Sequence, residues 1–336
     1  MKPRHIQSVR WGILFIALIA LSGNFAFAQV KYPTKPVNLV VGYAPGGLND
    51  IQVRSIAPQL SKELGQNVIV INKPGAGTTL AINYIANAKP DGYTLMSGGF
   101  YGIVTAPYMY DISWNPEDFT YIMGHSNYNF GIVVREDAPW KTFQEWVDHV
   151  RKNPGFKYGS YGNLTPMHVL MEWIGRELGL KIVHIPYTGG APALTALLGG
   201  HIEIYGSAGT HIPMVKAGKI RTLLHIKGKI ADLPGTKVQQ INELFKYPPL
   251  EIIDLPIGIF APKGLPAPIF QKLTEALKKS IIENPDFLKA NDTLNMEVSY
   301  VSPDDSVKLV KKSYLTYGTL IKDLNLIKHT DKKKAE

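Results

Sequence analysis

Short apolar runs alternate with amphipathic segments along this chain, and the joints between them are repeatedly rich in glycine. Val37 to Val41 is such a run, Gly42-Tyr43-Ala44-Pro45-Gly46-Gly47 follows it, and Val53, Ile56, Leu60 and Leu64 then recur at helical spacing until Gly65. The unit reads as strand, turn and helix. Pro58 falls inside the helical pattern and predicts a kink. Val68 to Ile71, Thr78 to Ala88 and Tyr93 to Met96 continue as strand, helix and strand. Strands that alternate with helices pair in parallel and carry the helices on their faces.

The pattern then restarts. Gly131 to Val134, Lys157 to Ser160, Ile182 to Ile185 and Ile202 to Tyr205 read as strands, separated by helices at Thr142 to Lys152, Pro166 to Leu178 and Ala191 to Leu198, with a further helix at Ile212 to Ala217. Ile257-Gly258-Ile259-Phe260 reads as a return strand, and the last third is helical, most clearly Ala267 to Glu283. The expected fold class is therefore α/β with two lobes, each a mostly parallel sheet flanked by helices. Residues 29–128 plus 255–336 form lobe 1 and 129–254 form lobe 2 in this reading, with crossings near 127–132 and 252–257.

The N-terminus reads as an export signal over residues 1–28. Lys2, Arg4 and Arg10 precede an apolar core from Trp11 to Leu21, and Ala26-Phe27-Ala28 offers a small-x-small cleavage site before Gln29. The apolar core is short of the roughly 20 residues a membrane span needs. A free periplasmic location is expected, since the chain has no cysteine to carry a lipid, a disulfide or a thiolate zinc site. The formal charge of +9 falls to +6 with the signal removed, and part of that sits in the tail around Lys332-Lys333-Lys334. Without a basic-aromatic stripe, nucleic acid is not an expected partner, and a mild positive field favours anionic ligands.

Four small, glycine-containing loops each follow a strand and open a helix: Pro45-Gly46-Gly47-Leu48-Asn49-Asp50, Ser160-Tyr161-Gly162-Asn163-Leu164-Thr165, Tyr187-Thr188-Gly189-Gly190 and Ser207-Ala208-Gly209-Thr210. Helix N-termini expose unpaired N–H groups and about half a positive charge, so such loops can accept carboxylates without arginine. The competing reading is that Gly and Asn only make tight turns. Thr165-Pro166 fits an N-cap followed by a first helical residue. His168 has two open readings, a hydrogen-bonded core histidine or a residue that orients a loop or touches a ligand. Asp50 reads as a cap that holds the glycine loop, and Tyr43, Tyr101, Tyr128 and Tyr161 as either cleft walls or packing.

Enzyme motifs fail in turn. Gly75-Ala76-Gly77-Thr78-Thr79-Leu80 lacks the third glycine of a dinucleotide fingerprint, and no GxxxxGK[ST] loop occurs. Tyr158-Gly159-Ser160-Tyr161-Gly162 and Tyr205-Gly206-Ser207-Ala208-Gly209 place Tyr where a nucleophile elbow has its first Gly. A hydrolase using Ser160 or Ser207 needs an activating base, and no motif supplies one. Nine histidines form no HExxH pair. No catalytic residue, metal or cofactor is expected.

Tyr32-Pro33-x-x-Pro36, Gly46-Gly47-x-x-Asp50 with Arg54, Leu64-Gly65-Gln66, Asn72-Lys73-Pro74-Gly75-Ala76-Gly77 and Pro90-Asp91-Gly92-Tyr93-Thr94-Leu95 together carry a family resemblance. Gly162-Asn163, Thr165-Pro166-x-His168, His184-Ile185-Pro186-Tyr187-x-Gly189, Ala193-Leu194, Leu198-x-Gly200 and Ala217-Gly218-Lys219 extend it. With these, the mature chain resembles the extracytoplasmic solute receptors of the tripartite tricarboxylate transporter system, the Bug family. The resemblance implies a type II periplasmic-binding-protein fold, no catalysis, and a carboxylate held between closing lobes. It implies delivery of that ligand to two integral membrane subunits, with presentation to a sensor histidine kinase as the alternative. By position it implies ligand contacts at Ala44 to Asn49 and Ser160 to Thr165, with Gly190, Ala191 and Ser207, Ala208 and Gly209 nearby. Tyr161 and Leu164 stand where relatives commonly carry small residues, which points to a larger or aromatic carboxylate.

Overall fold

The computed structural model describes residues 31–230, 238–246 and 249–326. The segment read as an export signal and the lysine-rich tail lie outside the described residues. The first sheet grows from β1 (Val37–Val41), whose valines and leucine are fully buried, as a central strand requires. It leads through α1 (Leu48–Leu64) to β2 (Val68–Asn72), then through α2 (Thr79–Ala86) to β3 (Thr94–Gly99), α3 (Tyr101–Thr105) and β4 (Phe119–Ser126).

The second sheet follows as β5 (Phe130–Arg135), α4 (Phe143–Lys152), β6 (Phe156–Ser160), α5 (Pro166–Glu177), β7 (Ile182–Pro186), α6 (Gly190–Leu198) and β8 (Ile204–Ser207). It closes with α7 (Ile212–Lys216), β9 (Ile220–Lys227), the two-residue β10 (Gln239–Gln240) and α8 (Ile241–Leu244). The chain then returns to the first sheet with β11 (Ile257–Pro262), α9 (Ala267–Ile282), α10 (Pro285–Thr293), β12 (Val298–Val301) and α11 (Pro303–Asp323).

The strand orders are β12-β4-β11-β3-β1-β2 and β10-β9-β5-β8-β6-β7. Parallel pairing holds where strand, helix and strand succeed one another: β1 with β2 and β3, and β6 with β7 and β8. The remaining long strands run antiparallel, β11 against both β3 and β4 and β5 against both β8 and β9, so each sheet is mixed. β5 and β11, which run antiparallel to both their neighbours, are the first strands after the chain crosses from one sheet to the other. From Pro33 onward the chain is one compact unit.

Gly65, in the left-handed region at φ 67°, ends α1 as expected. The helix runs on through Pro58, which lies on its exposed side with Arg54, so the Arg54 carbonyl that loses its N–H partner faces water. α1 packs against α9 and α10. Its buried Gln52 donates from Nε2 to Ser126 Oγ at 2.9 Å and Asn291 Oδ1 at 2.7 Å, tying helix to strand across the first lobe.

Candidate ligand cleft

The two lobes meet along the loops that follow their strands. The Ala44 N–H donates to the Thr188 carbonyl at 3.3 Å, and a Cβ on Gly47 would lie 3.9 Å from the Gly190 nitrogen. On the first lobe, Asp50 shapes the turn. It is 3% exposed, and its carboxylate accepts from the Gly46 N–H at 2.9 Å, Arg54 Nε at 3.0 Å and Asn72 Nδ2 at 2.9 Å. Burial raises the Asp50 carboxyl, but hydrogen bonds from Arg54, Gly46 and Asn72 outweigh it and hold the group below the usual range. The turn is thereby fixed without any charge facing the cleft.

On the second lobe, Ser160 Oγ donates to the Gly162 carbonyl at 2.9 Å and lies 2.7 Å from His184 Nε2. His184 stacks on His168 at 3.9 Å, and His168 Nδ1 accepts the Leu164 N–H at 2.9 Å. Thr165 Oγ1 also donates to the Gly162 carbonyl, at 2.9 Å. Ser207 Oγ lies 3.0 Å from His211 Nδ1. Both serines therefore do have a histidine beside them, although no sequence motif supplies one. Neither pair is arranged for nucleophilic attack. Both serines are fully buried, the Ser160 hydroxyl is committed to the loop backbone, and burial pushes His211 down to about 3, making it a weak base.

Two cavities open between the lobes. An inner chamber of about 20 Å³, room for about one water, is walled by Tyr43, Tyr101, Tyr128, Tyr161 and Tyr205, with Asn49 and Thr210 among the other lining residues. An outer vestibule of about 190 Å³ lies between the Gly75 to Thr78 loop and Gly162, Asn163 and Tyr187. Among the described residues, no Lys, Arg, His, Asp or Glu lines either space. The Tyr43 hydroxyl is hydrogen-bonded to that of Tyr101, and Tyr205 Oη lies 3.3 Å from Thr210 Oγ1. Burial raises the pKa of Tyr43, Tyr101, Tyr161 and Tyr205, so the walls present neutral hydroxyls. Asn49 Nδ2 sits beside the Tyr128 phenol without a hydrogen bond of ordinary geometry, and Tyr161 Oη has no partner.

Helix ends distinguish this region. α1, α2 and α6 begin at the cleft and α5 behind it, and none has a side-chain cap. Away from it, α4, α10 and α11 are capped by Thr142, Asn284 and Ser302, while α8 and α9 are uncapped. The loop before α2 is also strained: Gly75, Ala76, Gly77 and Thr78 all have positive φ, as does Leu164 opposite. A wider groove of about 930 Å³ lies outside the cleft, lined in part by Lys35, Lys73, Tyr84 and Tyr93. It is an open surface whose Lys35 and Lys73 ammonium groups already rest on the Tyr93 and Tyr84 rings.

Of the residues singled out in the sequence, Tyr43, Gly47, Asn49, Tyr161, Gly190 and Ala208 line the chamber, and Gly162, Asn163 and Tyr187 the vestibule. Ala44, Pro45, Gly46 and Ala191 belong to the rim loops; a Cβ on Gly46 would touch that of Ala191 at 3.9 Å. Gly209 faces Leu48 across the lobes. Asp50, Ser160, Thr165, His168 and Ser207 line neither space and act from behind the loops. Tyr205 and the Gly75 to Thr78 loop escaped the sequence reading of the site. The latter is a fifth glycine joint between strand and helix, visible in the sequence but weighed there as a dinucleotide motif and as part of the family resemblance, not as a ligand loop.

The family model described as the tripartite tricarboxylate transporter family receptor matches residues 52–326. The UPF0065 protein in the gbd 5′ region of Cupriavidus necator is 36% identical over 332 residues, 98% of this chain and 99% of its own length. A solved periplasmic transporter is 30% identical with a TM-score of 0.79, covering 88% of this chain and 98% of that one. The periplasmic binding protein BugD is 28% identical with a TM-score of 0.79, covering 89% and 100%. The chain belongs to the tripartite tricarboxylate transporter receptor family, as a periplasmic solute-binding protein of the Bug type.

Proposed function

We propose that the protein captures a small organic carboxylate between its lobes, outside the inner membrane, and delivers it to the integral membrane subunits of a tripartite tricarboxylate-type transporter. One observation carries this: three helix N-termini without side-chain caps, those of α1, α2 and α6, open on a cleft that holds buried donors without ordinary hydrogen bonds and, among the described residues, no acidic side chain. Such a site favours an anion through N–H groups and helix dipoles, without arginine. In this reading the signal is cut near Ala28, residues 29–128 plus 255–336 move against 129–254, and closure excludes water from the bound acid. Micromolar binding, about −8 kcal/mol, permits both capture and release. No catalysis is assigned to the cleft.

The test is a thermal-shift screen of the protein from Gln29 onward against aliphatic and aromatic mono- and dicarboxylates, tricarboxylates, sugars and amines. A ligand that binds only the folded state raises the melting temperature as its concentration passes Kd. Shifts confined to carboxylates are expected; a shift with a sugar or amine and none with any acid overturns the proposal.

A further inference from the structure

The chamber and the vestibule have two lining residues in common, Tyr43 and Tyr161, so these two rings form the partition between them. The rings are held differently. Tyr43 is pinned through its hydroxyl to Tyr101. Tyr161 is 4% exposed, stands edge-on to Tyr43 at 6.2 Å and to Tyr101 at 6.4 Å, and its hydroxyl has no partner. Aromatic edge contacts hold the ring in its slot while the buried hydroxyl works against its staying there. A rotamer change of Tyr161 removes its part of the partition while Tyr43 stays in place, and the vestibule lies on its other side.

We propose that Tyr161 is a displaceable plug that occupies the place of a ligand ring, and that the ligand is an acid bearing a planar aromatic ring. The slot between Tyr43 and Tyr101 already holds one six-membered ring at edge-to-face distances, so its walls suit such a guest. The chamber also offers Asn49 Nδ2, 3% exposed and without a hydrogen bond of ordinary geometry beside the Tyr128 phenol, at the N-terminal turn of the 17-residue α1. A hydroxyl is a poor complement to that arrangement and a carboxylate a good one. On binding, the acid's ring takes the slot, its carboxylate accepts from Asn49 and the α1 N–H groups, and Tyr161 turns into the vestibule. The inference rests on the carboxylate reading of the cleft and adds the ring and the plug.

Titration calorimetry on the mature protein, with benzoate, phenylacetate and 4-hydroxybenzoate against succinate and adipate, tests it with Tyr161→Ala and Tyr161→Phe. At least one ring acid binds the wild type about tenfold or more tighter than either aliphatic acid. Tyr161→Ala tightens ring acids, because the competent state no longer waits on displacement; a plug seated in nine molecules of ten gives about tenfold. Tyr161→Phe weakens them several-fold, because the plug loses its unpaired hydroxyl and seats better. A residue that merely lined the site gives the opposite sign for alanine, so weaker ring-acid binding in Tyr161→Ala overturns the plug. Aliphatic acids that bind the wild type as tightly as every ring acid overturn the ring class and leave the carboxylate cleft standing. Failure of all five acids to bind overturns the cleft assignment and this inference with it. Far-ultraviolet circular dichroism of both variants confirms that they are folded.

Discussion

Gly77 of the first lobe lies directly against the Asn163 carbonyl of the second: a Cβ built on Gly77 would overlap that oxygen. Gly77 also has φ 58°, inside a run of four left-handed residues, so both its backbone conformation and its neighbour call for glycine. Two strained loops are thus in contact, since Leu164, beside Asn163, has φ 53°.

Gly77→Ala is therefore expected to weaken ligand binding by tenfold or more, by holding the lobes apart, and to destabilise the fold by about 1 kcal/mol. Gly65→Ala supplies the control, because Gly65 has φ 67° and nothing within 4 Å of its added Cβ. Equal losses of stability with unequal losses of affinity, read by urea unfolding and calorimetry, are the expected outcome. Equal affinities in the two variants exclude a closure role for the Gly77 contact.

Asp50→Asn removes the charge on which Arg54, Asn72 and the Gly46 N–H converge. A loss of about 2–4 kcal/mol is expected at pH 7, from charge-assisted bonds in a buried setting. Because the folded-state pKa of Asp50 is depressed, its contribution is present above the unfolded value near 4 and is lost as pH falls through the folded value. The gap between wild type and variant in urea unfolding should therefore narrow below about pH 4. A gap constant with pH would mean that shape, and not charge, accounts for the loss.

His168 supports the second-lobe loop by accepting the Leu164 N–H, and its ring stacks on His184. His168→Phe keeps a flat ring but strands that N–H, while His168→Asn restores an acceptor near the Nδ1 position. Affinity should fall about tenfold in the first and recover in part in the second, with kcal-scale costs matching one buried unpaired donor. If both variants bind like wild type, the loop does not depend on this bond.

The order of strands and helices was legible because apolar runs bounded by glycine turns are local signals: β1, α1 and β2 follow from Val37 to Asn72 with little shift of boundary. β4 and β9 were not read. β4 contains Gly124, His125 and Ser126, and its ladder partners β11 and β12 lie more than a hundred residues away, so what makes it a strand is tertiary pairing. The glycine loops pointed to the rim for the same local reason. Four of the chamber's tyrosine walls, Tyr43, Tyr101, Tyr128 and Tyr161, were legible as either cleft walls or packing, but that choice and the place of Tyr205 were not, since the five rings come from five separate segments and meet only in the fold. The histidine partners of Ser160 and Ser207 differ in kind: His211 is four residues from its serine and readable in retrospect, whereas His184 arrives from the neighbouring strand β7.

Acid sensitivity should come first from buried histidines. Burial pushes His125 and His211 down to about 3, with His225 adding to the effect at His211. Both have folded values below the unfolded 6.5, so the unfolded chain binds protons that the folded chain does not, and stability falls as pH drops from about 6.5 toward 3. Each contributes a slope of about 1.4 kcal/mol per pH unit in that window. His125 Nδ1 lies 2.8 Å from Ser126 Oγ and its ring packs at 5.4 Å against Phe287, so it sits in the first-lobe core away from the loops of the cleft. His125→Gln should therefore flatten the acid limb by about one proton while leaving affinity at pH 7.5 unchanged. Urea unfolding at half-unit steps from pH 7 to 4.5 measures that slope; an identical slope in wild type and variant would show that His125 is protonated in the fold despite its burial.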